Sequence, residues 1–307
     1  MDNYEKIQEL LAKEHRLEQE LSGLIYGAPE VRDKKYIYVH LRDSGQLRTR
    51  YAGEYSDALY NLILKNTTRA KVIKKELKEI ARQLHELGYM RHVLSEQVKR
   101  NIDFAKKNLA VTIHSQAILE GVATTFAETE SIIDGARVQG MTEKDIRKIV
   151  NMKHAWEFIL DDDVIIAEDD FALLSRINQL VEEGFYFNAG KLRDVPVNIG
   201  GTNWQPEMPI ESKIVESLSE TINKKVSDID KAVDLVLFVM KSQIFIDGNK
   251  RTAVIFANHF LVKNGLGLLY IPEDKVEEFK KLLVEFYETN KKSAISGFLK
   301  KHCLLKI

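Results

Sequence analysis

Residues 230–242 constrain the fold most, because they are apolar around most of a helix: Asp-Lys-Ala-Val-Asp-Leu-Val-Leu-Phe-Val-Met-Lys-Ser. A helix without a polar face has to be enclosed by other elements of the protein. A second helix is predicted over 251–263, where bulky apolar residues recur on the inward side and Asn264 and Gly265 supply a C-terminal cap. Two central helices joined by a short loop predict a mainly α fold with its core at 230–264.

The loop between these helices carries groups suited to an anion. Residues 243–252 read Gln-Ile-Phe-Ile-Asp-Gly-Asn-Lys-Arg-Thr. Gly248 lets the backbone approach a phosphate closely, and the amides of Gly248, Asn249 and Lys250 point outward where the second helix begins. Lys250 and Arg251 add formal positive charges. The sequence therefore predicts a phosphate-binding loop.

Two further loop residues have predicted roles. Asp247 is a hard oxygen ligand beside the phosphate cradle, and Mg²⁺ prefers one or two carboxylates together with phosphate oxygens. Asp247 is therefore the predicted metal ligand. Phe245 is predicted to anchor the loop by packing on the core. An Asp-Gly-Asn turn alone would also fit an ordinary surface turn, but it would not explain the charged residues gathered in one loop.

The loop resembles the signature of Fic-domain proteins (the Fic/Doc, or Fido, family), which is His-x-Phe-x-Asp/Glu-Gly-Asn-Gly/Lys-Arg. The resemblance implies a helical bundle with a small β-hairpin flap, which binds ATP with Mg²⁺ and transfers AMP to a Ser, Thr or Tyr hydroxyl of a target protein. Gln243 stands where the family has its catalytic histidine. A glutamine amide cannot take a proton at physiological pH, and general-base catalysis contributes about 10²- to 10⁴-fold. We therefore expect weakened or altered transfer.

Regulatory elements of the family have counterparts outside the loop. Ser115 and Glu120 resemble the autoinhibitory motif Ser/Thr-x-x-x-Glu-Gly, although they lie five residues apart instead of four. Residues 190–206 resemble the hairpin flap, and they also fit a plain hairpin edge. Val254 stands where the family has a second arginine, which pairs with the inhibitory glutamate and a nucleotide phosphate. Valine can do neither.

Two histidines are candidates for a replacement base. His259 lies about 12 Å along the helix from Arg251, too far for a simple replacement. His114 adjoins the inhibitory segment and is the better candidate, although a lone histidine is more often a packing or surface residue. The Doc branch of the family has a lysine at the position of Lys250. In that branch ATP binds in the reverse orientation and phosphate is transferred, so a kinase-like activity stays open.

The first part of the chain resembles no family of known function. The sequence predicts an amphipathic helix over 4–22, strands over 36–41 and 47–51, and a long helix over 54–88. The strands alternate aromatic and basic residues, which fits a nucleic-acid platform or a hairpin packed on a helix. We predict an N-terminal arm over 1–95 and a Fic-like domain over 96–307.

Composition sets outer limits. No run approaches the roughly 18 to 20 apolar residues that a membrane span needs, and no secretory signal is visible, so a cytoplasmic protein without membrane contact is expected. The single cysteine, Cys303, cannot form an internal disulfide. Three functions stay open: a Fic-type nucleotidyltransferase, an inactive nucleotide-binding or protein-binding pseudoenzyme, and a regulator with a nucleic-acid-binding arm. Homo-oligomer formation also stays open.

Overall fold

The computed structural model describes residues 3–43, 46–89, 94–136 and 138–307. The chain divides into two compact units at residues 1–91 and 92–307, where the sequence predicts a division after residue 95. Of the described helices, none is long and apolar enough to cross a membrane.

The first unit contains two helices and one antiparallel sheet. Its elements are α1 (Asn3–Gly23), β1 (Ala28–Arg32), β2 (Tyr36–Asp43), β3 (Gln46–Glu54) and α2 (Asp57–Glu86). The strands follow the order β1-β2-β3. Helix α1 packs on α2 through Leu17, Ile73, Ile80 and Leu84. The inward residues of β2, Ile37 and Val39, contact Ile63 of α2, because alternate strand residues point to opposite faces.

The predicted elements of this unit are present with one addition. Both predicted helices are confirmed, and the two predicted strands correspond to β2 and β3. The turn at Ser44 and Gly45 lies outside the described residues. Strand β1 was not predicted, because its sequence Ala-Pro-Glu-Val-Arg lacks a clear apolar alternation and contains Pro29.

The second unit is a helical bundle. It contains α3 (Glu96–Lys107), α4 (Leu109–Leu119), α5 (Phe126–Ile133), α6 (Glu143–Ile159), α7 (Phe171–Val181), α8 (Glu211–Asn223), α9 (Asp228–Ser242), α10 (Asn249–Lys263), β4 (Leu268–Leu269), a 3₁₀ turn (Glu273–Lys275), α11 (Val276–Thr289), α12 (Ser293–His302) and β5 (Leu304–Leu305). Strands β4 and β5 form a short antiparallel pair. Residues 251–262 of α10 are all buried. The prediction that this helix and α9 form the centre of a mainly α fold is therefore confirmed.

The expected hairpin at residues 190–206 differs from the structure, which has no strand there. The buried side chain of Arg193 organises this segment instead. It donates to the carbonyl oxygens of Gln243 (2.6 Å), Val195 (2.9 Å) and Pro206 (3.3 Å). A guanidinium group has five N–H donors, so one side chain satisfies carbonyls that strand pairing would otherwise satisfy. We call residues 190–206 the flap segment.

Candidate active site

The loop between α9 and α10 is bounded by two left-handed residues. Gln243 ends α9 with φ 44° and ψ 56°, and Gly248 precedes α10 with φ 76° and ψ 4°. Between them Ile244 and Phe245 are fully buried. The loop is therefore fixed to the core at its start and reverses direction at both ends.

Asn249 fastens the loop from the first turn of α10. Its Oδ1 accepts a hydrogen bond from the backbone N–H of Phe245 at 3.0 Å, and its Nδ2 donates to the carbonyl oxygen of Phe245 at 2.8 Å. Because the side chain is used within the loop, Asn249 can contribute its backbone amide to an anion but not its side-chain amide. The amides of the first helical turn have no acceptor within the helix.

Gln243 lines a cavity beside the loop, and its side-chain amide has partners within the protein. Its Nε2 donates to the carbonyl oxygen of Met240 at 2.6 Å, and its Oε1 accepts from Asn249 Nδ2 at 3.3 Å. Its backbone carbonyl receives the Arg193 guanidinium described above. Gln243 is therefore held in place at the cavity wall, where it can orient a hydroxyl group but not deprotonate it.

A cluster of opposite charges lies at the N-terminus of α10. The guanidinium of Arg251, which is 1% exposed, lies 2.7 Å from Glu182, 3.4 Å from Glu120 and 3.7 Å from Asp247. Lys250 Nζ lies 3.2 Å from the other oxygen of Glu120. Three carboxylates thus surround two cations, and the charge of Lys148 also acts on Glu120 and Glu182.

Burial and neighbouring charges act differently on the two buried carboxyl groups. Burial opposes ionisation of Glu120, but the charges of Arg251 and Lys250 outweigh it and lower its pKa. Burial raises the pKa of Glu182 to about 7; Arg251 opposes this shift, and the negative charges of Asp247 and Glu120 add to it. When the cluster holds one proton, Glu182 is therefore the group that binds it.

Sequence reasoning did not find Glu182, since no motif surrounds it. It follows α7 directly, and the helix brings it beside Gly248. A Cβ atom on Gly248 would lie 2.4 Å from Glu182 Oε1. One helical turn earlier, Asn178 Nδ2 donates to the carbonyl oxygen of Asp247 at 3.0 Å and to Thr252 Oγ1 at 3.1 Å. The end of α7 therefore supports the loop from behind.

The predicted inhibitory residues lie apart from each other. Glu120 caps α4 at its C-terminus and contacts the two cations of the loop. The hydroxyl of Ser115 instead donates to the carbonyl oxygen of Ile271. Residues five apart on a helix do not share a face, whereas residues four apart do. Gln116, which is buried, therefore occupies the position one turn before Glu120.

Neither candidate histidine lines the cavity. His114 is buried, with Nδ1 3.2 Å from Thr129 Oγ1 and Nε2 3.4 Å from Glu273. His259 is buried in the core, where Nδ1 lies 2.6 Å from Asp169. The suggestion of His114 as a replacement base has no geometric support in this arrangement. Val254 is fully buried in the core, and Glu120 takes its partners from Lys250 and Arg251 instead.

The cavity beside the loop has a volume of about 660 Å³. Its walls come from the loop, from the flap segment and from α11, which contributes Lys280, Lys281 and Tyr287. The Tyr287 hydroxyl donates to the carbonyl oxygen of Met240 at 3.0 Å, and burial raises its pKa. The Tyr287 ring stacks on Trp204 with ring centroids 5.2 Å apart. Small-molecule sites typically measure about 300–1,000 Å³, so this cavity has the size of a small-molecule site.

Comparison with known proteins gives the same assignment as the loop. Residues 169–261 match the model of the Fic/DOC family. This range includes α7, the flap segment, α8, α9, the loop and most of α10. This part of the chain is therefore similar to a Fic domain.

Solved structures share the fold at low sequence identity. Fic-1 (residues 134–508) from C. elegans matches with a TM-score of 0.54 and 17% identity, covering 80% of this chain and 73% of that one. A Fic domain containing signaling protein from Bacteroides thetaiotaomicron matches with a TM-score of 0.55 and 16% identity, covering 71% and 89%. A Fic family protein from Desulfovibrio desulfuricans matches with a TM-score of 0.53 and 16% identity, covering 68% and 72%. None of the curated proteins compared matches the chain.

Proposed function

We propose that the cavity binds ATP with Mg²⁺ and that the chain transfers AMP to a hydroxyl group of a target protein, at a rate limited by Gln243. The observation that carries this proposal is the 660 Å³ cavity bounded by the first turn of α10, with Asp247 and Lys250 in its wall. A triphosphate there would meet the outward amides of the helix N-terminus.

Asp247 is suited to bind a divalent cation whose remaining ligands come from the nucleotide and from water. Its side chain is 51% exposed, and one oxygen accepts from the amide of Gly248 at 2.7 Å. Among the described residues, no group of three His, Cys, Asp or Glu side chains could hold a metal alone. Mg²⁺ commonly keeps several waters and uses one or two carboxylates with phosphate oxygens, so Asp247 and a bound triphosphate together would suffice.

Glu120 is proposed to oppose nucleotide binding. It forms ion pairs with Lys250 and Arg251, the two cations that a triphosphate would contact, and its negative charge would repel the phosphates. A triphosphate binds favourably when Mg²⁺ neutralises part of its charge and Glu120 moves away. This arrangement supports an inhibitory role for Glu120 with Lys250 in place of the missing second arginine.

Two alternatives share the same nucleotide site. The first is an inactive nucleotide-binding or protein-binding module, which would keep the anion-binding loop but transfer nothing. Gln243 supports this alternative, because its side-chain amide is already hydrogen-bonded within the protein. The second is a Doc-like kinase, which would transfer the terminal phosphate of ATP. Lys250 supports this alternative, because the Doc branch has a lysine at this position. Nucleic-acid binding by the first unit is a separate proposal that rests on its aromatic and basic strand residues.

A labelling experiment separates these functions. The chain is incubated with a cell lysate, Mg²⁺ and ATP labelled at either the α- or the γ-phosphate, beside the Gln243→His and Asp247→Ala variants. The proposal expects α-label on protein, increased by about 10²- to 10⁴-fold in Gln243→His and lost in Asp247→Ala. Transfer of γ-label alone would support the kinase. Transfer of α-label by Gln243→His but not by the wild type would support a module that Gln243 makes inactive, and no transfer by any variant would contradict the proposed transfer activity.

A further inference from the structure

The buried carboxylate of Glu182 has a specific place in the proposed nucleotide site, and this inference rests on that proposed function. We propose that Glu182 is a positioning residue, which holds the Arg251 guanidinium towards the nucleotide phosphates when Glu120 withdraws. In the arrangement described, neither Glu182 nor Arg251 lines the cavity, whereas Glu120 does, so Arg251 can reach a phosphate only after Glu120 has moved.

The first argument comes from the number of partners that Arg251 has. Glu120 and Glu182 come from two different helices, and both contact this buried side chain. Arginine stays protonated in proteins, so a buried guanidinium requires a counter-charge at all times. If a phosphate displaces Glu120, Glu182 at 2.7 Å keeps the guanidinium paired and in place.

The second argument comes from the atoms that remain available. Glu182 contacts Nη2 of Arg251, whereas Nε faces Glu120 at 3.4 Å. Neither Nε nor Nη1 makes a hydrogen bond, although both are buried. Unsatisfied buried donors are costly, which makes them ready partners for an incoming phosphate oxygen. Glu182 Oε1 thus forms an ion pair with one nitrogen, although not a hydrogen bond, and leaves the two others for a ligand.

The third argument comes from the rigidity of the support. Asn178, one turn before Glu182 on α7, bonds the backbone of Asp247 and the side chain of Thr252, and its Oδ1 accepts from the amide of Gly190 at 2.9 Å. Glu182 itself approaches Gly248 so closely that a Cβ there would overlap it. The same helical turn therefore fixes both the loop backbone and the arginine.

The test compares the full-length wild-type chain with Glu182→Gln and the matched control Glu183→Gln, whose side chain is exposed. Calorimetry measures binding of Mg–ATP and of adenosine to each. We expect Glu182→Gln to weaken ATP binding at least 10-fold and to leave adenosine binding unchanged, and we expect Glu183→Gln to change neither. Removing a negative charge alone would strengthen binding of an anion, so weaker binding indicates that Arg251 has lost its position.

Other outcomes overturn the inference. Unchanged or tighter ATP binding by Glu182→Gln would show that Glu182 does not position Arg251. An equal loss for ATP and adenosine would indicate a general structural role. A Glu120→Gln chain that binds adenosine but no ATP would overturn the proposed function as well, which distinguishes that failure from failure of the inference alone.

Discussion

Gly248→Ala should destabilise the second unit, because this position requires both a left-handed backbone and the absence of a side chain. At φ 76° an alanine costs about 1–2 kcal/mol. The added Cβ would lie 2.4 Å from Glu182 Oε1 and 3.1 Å from Asn178 Nδ2. Relief of this overlap moves Glu182 away from Arg251, and complete loss of a partner from a buried ion pair costs about 3–5 kcal/mol.

Partial loss of that pair together with the backbone strain gives a total of about 2–4 kcal/mol. In a domain of 150–250 residues each kcal/mol lowers the unfolding temperature by about 2–4 °C. We therefore expect Gly248→Ala to unfold roughly 5–15 °C below the wild type when unfolding is followed by circular dichroism.

Gly297→Ala is the matched control. Gly297 lies in α12, its backbone is not left-handed, and a Cβ there would meet no atom within 4 Å. Removing a glycine from a helix interior gains about 0.5–1 kcal/mol, so this variant should be as stable as the wild type or more so. Equal unfolding temperatures for Gly248→Ala and the wild type would refute the described contact between Gly248 and Glu182.

Three further predictions concern the same unit. Arg193→Ala should increase hydrogen exchange of the flap segment, since the lost guanidinium bonds four carbonyl oxygens, those of Gln243, Val195, Pro206 and Glu207; unchanged exchange would show that other contacts hold the segment. Burial raises the pKa of Glu182 to about 7 in the folded chain, whereas the ordinary value of 4.5 applies to the unfolded chain. Between these two pH values only the folded chain holds the proton, so the free energy of unfolding should fall as pH rises from 4.5 to about 7. Denaturant titrations should show a smaller fall in the free energy of unfolding for Glu182→Gln than for the wild type. Identical pH profiles for the two chains would contradict the raised pKa of Glu182. Burial raises the pKa of Cys303 to about 12, so a thiol reagent should label it only as fast as the protein unfolds, and rapid labelling would show that it is accessible.

The sequence predicted those parts of the site that lie close together along the chain. Helices α9 and α10 are evident from continuous apolar character, and the loop between them from its glycine and charges. These signals are local, because both the buried helices and the left-handed turn depend on adjacent residues. The long helix α2 was equally evident from its apolar spacing.

Other parts depend on contacts between distant segments. Glu182 reaches Arg251 across 69 positions of sequence, and no local pattern distinguishes it from an exposed glutamate. The flap segment was expected to form a hairpin, but Arg193 supplies the carbonyl partners instead. Likewise, Ser115 lies five residues before Glu120 and therefore on a different face of the helix. Its hydroxyl contacts the carbonyl oxygen of Ile271 instead of the loop.

The central claim is that the start of α10 binds Mg–ATP once Glu120 no longer occupies its cations. Calorimetric titration of Mg–ATP into the Glu120→Gln chain tests this most directly, with the double variant Glu120→Gln/Asp247→Ala as the control. The claim predicts tighter binding by Glu120→Gln than by the wild type and a loss of at least 10-fold when Asp247 is also replaced. No binding by Glu120→Gln, or equal binding with and without the Asp247 carboxylate, would contradict it.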